Sequence, residues 1–94
     1  MPDQVTELLI AEKALDKLGA RNISADEVEQ LLRNTHLIVR NPQAPDPGTR
    51  RLLVGRTDGG RFITIVLEQT VEQNTWLVIT GWSSTEIERK LLDG

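Results

Sequence analysis

At 94 residues and 38% hydrophobic content the sequence has room for one domain with its own core and not for two. It contains no cysteine, which excludes a disulfide framework and a thiolate metal site, so stability has to come from packing. The net charge of −3, taken globally, argues against a polyanionic partner.

The distribution of charge says more than its sum. Residues 1–32 carry seven acids and three bases, residues 33–66 two acids and six bases, and residues 67–94 five acids and two bases. The central bases are all arginines: Arg33, Arg40, Arg50, Arg51, Arg56 and Arg61. A basic middle between acidic ends is either a face for phosphate or a patch neutralised by its flanks. The first residues show no basic region followed by an apolar run, and no stretch nears the roughly 20 apolar residues of a membrane span. With the missing cysteines, this predicts a cytoplasmic protein without a membrane segment.

From Val5 to Leu18, Val5, Leu8, Ala11, Leu15 and Leu18 recur at steps of three and four, which predicts one helix ending at Gly19. A second helix is marked by Ser24 as cap and Glu27 three residues on, a capping box, with Ile23 placed to staple onto Val28 and Asn34 as its end. His36–Arg40 is a short strand. The following Asn41–Gly48, with three prolines, is an exposed loop.

Residues 51–55 and 62–67 are strands, and Asp58-Gly59-Gly60 between them supplies the positive φ angles of a tight hairpin. A further strand runs over 76–81. Ser83 and Glu86 then repeat the capping logic, with Trp82 stapling towards Ile87, and predict a closing helix to about Leu92. The fold class is therefore α+β: two N-terminal helices, an antiparallel sheet of about four strands and a short C-terminal helix.

With Asp58-Gly59 as a two-residue loop, Arg50, Leu52, Val54 and Arg56 share a face with Arg61, Ile63, Ile65 and Leu67. Arg56 and Arg61 then flank the turn and converge on one phosphate in bidentate geometry, with Arg50 joining by parity. The bland alternative is a solvated hairpin end with Asp58 as a local partner. Both faces of the sheet hold apolar residues, which leaves part of one face for a loop, a helix or a protein partner.

His36, the only histidine, has no acid that the sequence can place beside it and reads as structural. A tight zinc site needs more ligands than this, and no metal or cofactor is implied. Trp76 and Trp82 share a parity and read as packing, with base stacking as the alternative.

The order of these pieces resembles the BrnT-type members of the RelE-like toxin superfamily and a related uncharacterised domain family. The resemblance covers nearly the whole chain, residues 1–94 as a single RelE/BrnT-like domain. It is carried by Lys13–Leu18, Ile23–Val28, Arg50–Arg61 and Trp76–Thr80, with Glu88-Arg89 in the closing helix. It implies a metal-independent endoribonuclease of a toxin-antitoxin system, silenced by a cognate antitoxin.

The matched catalytic candidates are Arg56, Arg61, Thr80, Glu88 and Arg89. Arg50, Arg56 and Arg61 are the candidates for holding RNA. In such chemistry the ribose 2′-hydroxyl attacks the adjacent phosphate, so a base, here Glu88, takes the proton while cations stabilise the developing charge. A non-catalytic interaction module on the same scaffold, binding a protein partner or a second copy as a homodimer, is the other expectation.

Overall fold

The computed structural model describes residues 4–40 and 50–93. Along them run β1 (Glu7–Ile10), α1 (Glu12–Gly19), α2 (Ala25–Arg33), β2 (His36–Arg40), β3 (Arg50–Arg56), β4 (Phe62–Gln69), β5 (Thr75–Ser83) and α3 (Glu86–Asp93). The strands form one five-stranded mixed sheet in the order β1-β5-β4-β3-β2, with β1 parallel to β5 and every other pair antiparallel. The class is α+β, with one strand more than expected. The proline-rich loop expected over 41–48 lies outside the described residues.

The extra strand corrects the first helix. Residues 5–18 do not form one helix: Glu7–Ile10 is strand, and α1 begins at Glu12. Leu8-Leu9-Ile10 is a continuous apolar run, which suits a short strand as well as a helix turn, and pairing with β5 decides between them. Leu8 is buried and Leu9 exposed, the alternation of a strand. In α1 the inner stripe is Ala14 and Leu18, one turn apart, while Leu15 faces out.

The Ser24–Glu27 capping box forms as the sequence predicts. Glu27 N–H donates to Ser24 Oγ and Ser24 N–H to Glu27 Oε1, each at 3.1 Å. Asn34 ends α2. Both N-terminal helices lie on the same face of the sheet, α1 over β5 and α2 over β3 and β4. Leu18, Ile23, Val28 and Leu31 meet Leu53, Ile63, Ile65, Leu67, Trp76 and Val78 there. Full burial of side chains this size stabilises by about 1.5–3 kcal/mol each. The close approach of α1 needs Gly81, where a Cβ would stand 2.8 Å from Ile65 Cγ2 and 3.0 Å from Leu18 Cδ2.

The hairpin turn is one residue longer than predicted. Thr57 N–H donates to Arg61 O and Gly60 N–H to Thr57 O, each at 2.9 Å, and Gly60 takes φ +86°. This is a three-residue loop whose last glycine is left-handed, a common hairpin alternative to the two-residue turn. Arg56 therefore pairs with Phe62 and Leu53 with Ile65. Directly opposed residues share a face, so every parity assignment across this hairpin changes. Arg51, Leu53, Gly55 and Arg61 go with Ile63, Ile65 and Leu67 on the α1/α2 face, whereas Arg50, Leu52, Val54 and Arg56 go with Phe62, Thr64 and Val66 on the other.

A β-bulge in the β4–β5 ladder makes a second correction. Leu67 pairs with Val78 but Val66 with Thr80, leaving Ile79 as the extra residue. Trp76 and Val78 thus lie on the α1/α2 face, and Thr80 and Trp82 on the opposite one. The two tryptophans do not share a face.

The closing helix lies on that opposite face, over β3 and β2. Its cap is Thr85, two residues beyond the expected Ser83: Glu88 N–H donates to Thr85 Oγ1 at 3.2 Å and Thr85 N–H to Glu88 Oε1 at 2.8 Å. Ile87 is 74% exposed, so the expected staple from Trp82 is not made.

Candidate nucleic-acid interface

The turn geometry separates the two arginines that the sequence brings together. Arg61 lies on the α1/α2 face, where Nη1 donates to Asn22 O at 2.6 Å and Nη2 to Arg21 O at 3.1 Å. Nη2 also reaches Ser83 Oγ at 3.2 Å, and Nη1 pairs with Glu27 Oε2 at 3.4 Å. The guanidinium ties the α1–α2 turn, with Asn22 in the left-handed region at φ 59°, to the hairpin and β5. Convergence of Arg56 and Arg61 on one phosphate is thereby corrected. Arg50, expected beside them, is at the far end of β3 and pairs across the ladder with Glu68, Nε to Oε2 at 2.8 Å.

Arg56 finds a different companion. Its Cζ lies 5.3 Å from the centroid of the Phe62 ring, and that of Arg89, reaching from α3, lies 4.5 Å from the same centroid. Both distances are within the range of cation–π attraction, and both arginines are exposed. Neither has a carboxylate partner among the described residues. Two guanidinium groups on one ring repel each other, and an anion between or beside them relieves that repulsion. Phe62 holds them through its place opposite Arg56 in the ladder. Sequence reasoning had named Arg56 and Arg89 without Phe62, whose role requires the even-to-even register.

Glu88 lies close by on the same face, bonded to Thr64, two residues along β4 from Phe62. Glu88 Oε1 accepts from Thr64 Oγ1 at 3.0 Å, from Trp82 Nε1 at 3.0 Å and from Thr85 N–H. Thr64, wholly buried in β4, also bonds Ser84 Oγ at 2.8 Å. Partial burial pushes the carboxyl pKa up, but the hydrogen bonds from Thr85, Trp82 and Thr64 outweigh it and hold the group below the ordinary value. A carboxylate so held is a weak proton acceptor and a strong anchor for α3. Thr64 and Ser84 were not foreseen, because a threonine in an apolar strand carries no mark of its partner.

Thr80 is half-buried on this same face, opposite Val66, one pleat from Trp82. His36 lies on the α1/α2 face opposite Gly55, its Nδ1 2.9 Å from Asn34 O. Four of the five catalytic candidates, Arg56, Thr80, Glu88 and Arg89, thus share the α3 face, and Arg61 does not.

Beside Arg56 opens a cleft of about 380 Å³, lined by Asn34, Thr35, Arg56, Thr57 and Asp58. Asp58 is paired with Arg33 at 3.2 Å. Among the described residues no helix is long and apolar enough to cross a membrane.

Comparison with the curated proteins finds no match. A family model described as a domain of unknown function, DUF4258, matches residues 10–80. This span takes in both N-terminal helices, β2, β3, β4 and most of β5 but only the last residue of β1, and it includes Arg56 and Phe62 while ending before α3. The chain belongs to the DUF4258 family.

Proposed function

We propose that the chain is an RNA-binding domain of the RelE-like, BrnT-type toxin class, holding single-stranded RNA on the α3 face through Arg56 and Arg89. The observation that carries this reading is the pair of exposed guanidinium groups on the Phe62 ring without a carboxylate partner among the described residues. Arginine suits phosphate oxygens because its planar fork can engage two of them at once. The metal-independent endoribonuclease activity implied by the resemblance draws on the same two cations to stabilise charge on the phosphate. Glu88 is spoken for by its hydrogen bonds and serves this reading as the anchor of α3.

Purified chain incubated with labelled single-stranded RNA in chelator tests both parts. Retention of RNA that is lost in Arg56→Ala and in Arg89→Ala supports the binding site. Cleavage that persists in Glu88→Gln assigns catalysis to the cations. RNA retained equally by wild type and both arginine variants, or not at all, removes the proposal.

A second reading, a non-catalytic protein-interaction module, is favoured by a separate observation. Ile87 and Leu91, one turn apart on α3, are 74% and 50% exposed. Such a stripe suits an antitoxin or a second copy of the chain.

A further inference from the structure

We propose that the cleft between the end of α2 and the β3–β4 turn is a nucleoside subsite, so that the unit recognised at Arg56 is a nucleotide and not a bare phosphate. This inference rests on the RNA-binding reading of Arg56 and Arg89 and extends it to a second group of residues.

The cleft has the size and the chemistry for it. Its volume of about 380 Å³ falls within the roughly 300–1,000 Å³ of small-molecule sites. Its walls are held before any ligand arrives: Asn34 Nδ2 donates to Arg56 O and to Asp58 Oδ1, each at 2.9 Å. Asp58 N–H donates to Gln30 Oε1 at 2.9 Å, and Arg33 Nη2 to Asp58 Oδ2 at 3.2 Å. Walls fixed in this way lose little further freedom on binding.

The polar groups left over match a nucleoside. Each Asp58 oxygen accepts one N–H from the protein and keeps lone-pair capacity, while the Thr35 hydroxyl, in an exposed residue, has no partner among the described residues. Acceptors and a rotatable hydroxyl suit sugar hydroxyls and base N–H groups. The Arg33–Asp58 pair balances itself, so the excess positive charge of the cleft is that of Arg56. An anionic group is therefore drawn to the Arg56 end and a neutral polar one to the rest. Arg56 also lies on Phe62, the ring that Arg89 reaches from α3, and so links the cleft to the second arginine.

A free nucleotide and a residue within a strand present the same chemistry. The test titrates the isotope-labelled chain, followed by amide chemical shifts, with inorganic phosphate, a nucleoside 5′-monophosphate and a single-stranded trinucleotide. The monophosphate is expected to move the amides of Asn34, Thr35 and Thr57 and to bind at least about tenfold tighter than phosphate, the step that about 1.4 kcal/mol of added contact gives. Thr35→Val, at an exposed position, reduces that gain and leaves phosphate binding intact, whereas Arg56→Ala loses both. A trinucleotide tighter than the monophosphate supports the subsite with a strand as its source, and equal affinities support it with a free nucleotide.

A trinucleotide that binds through Arg56 and Arg89 while the monophosphate binds no tighter than phosphate overturns the subsite and leaves the RNA reading standing. Absence of any binding that depends on Arg56 or Arg89 removes both.

Discussion

Arg89 lies over the ring of Phe62 with its Cζ 4.5 Å from the centroid, and this contact joins α3 to the first residue of β4. It places the one charged residue of the closing helix that lies on the ring beside Arg56, which reaches the same ring from β3. Two segments distant in sequence thus meet on one ring, and the geometry of the spot depends on an apolar side chain.

Two cations acting as phosphate contacts have a quantitative signature. Each contact to a single strand contributes about −0.7 to the slope of log K against log salt, so the wild-type slope is expected near about −1.4 and that of Arg56→Ala or Arg89→Ala near about −0.7. Phe62→Ala keeps both charges but frees them from the ring. It is expected to lose about 0.5–1 kcal/mol for each cation–π contact, with the salt slope kept. Fluorescence anisotropy with a short RNA at several salt concentrations measures all four proteins. A slope that does not change on removing either arginine contradicts the assignment.

Arg61 belongs to the scaffold, and its removal separates stability from binding. Arg61→Ala leaves the carbonyls of Arg21 and Asn22 without their donor and Glu27 without its cation. Losing charge-assisted bonds, of which the one to Glu27 is part-buried, destabilises by about 1.5–3 kcal/mol. Urea unfolding should show that loss, while the salt slope of RNA binding stays as in the wild type. A change in the slope with no change in stability would return Arg61 to the binding face.

Gly81 tests the approach of α1 to the sheet. Gly81→Ala drives a methyl to 2.8 Å from Ile65 Cγ2 and 3.0 Å from Thr64 O, the second a backbone atom that cannot rotate away. Overpacking of this kind costs about 1–3 kcal/mol, and thermal unfolding followed by circular dichroism is expected to show it. An unchanged midpoint would mean that α1 moves off the sheet without loss.

Local chemistry was legible in the sequence wherever it is decided locally. Ser24 and Glu27 announce α2 because a capping box is completed within four residues, and Asp58-Gly59-Gly60 announces a hairpin because few sequences tolerate its φ angles. The register of that hairpin was not legible. Asp58-Gly59 satisfies a two-residue turn and Gly60 a three-residue one, and the choice falls to packing, which sets Gly55 under Leu31 and Leu53 beside Ile65. One residue of difference moved Arg61 to the opposite face from Arg56. The bulge at Ile79 has no marker of its own, and β1 exists only because β5 offers it an edge. Arg56 was named from the hairpin and Arg89 from the resemblance, but their meeting place on Phe62 follows from register and helix position together.

The anchoring of α3 by Glu88 predicts a particular pH dependence. The folded carboxyl titrates below its ordinary value because the bonds from Thr85, Trp82 and Thr64 favour its charged form more than partial burial disfavours it. A depressed folded pKa means that the native state holds the proton less tightly than the unfolded chain, whose glutamate titrates near about 4.3. The resulting stabilisation is complete above that unfolded value and is lost as pH falls through the folded one. In Glu88→Gln the group no longer titrates, so its part of the acid limb disappears, and the stability difference between wild type and variant should shrink as pH drops from neutrality to below about 4.3. Near neutral pH the variant is expected to be less stable by about 1–3 kcal/mol through lost charged hydrogen bonds. Trp82, whose indole N–H donates to Glu88, reports the change in its emission. A stability difference that stays constant across this range would show that Glu88 does not hold the helix through its charge, and the Arg89–Phe62 contact would then be the tie of α3 to examine.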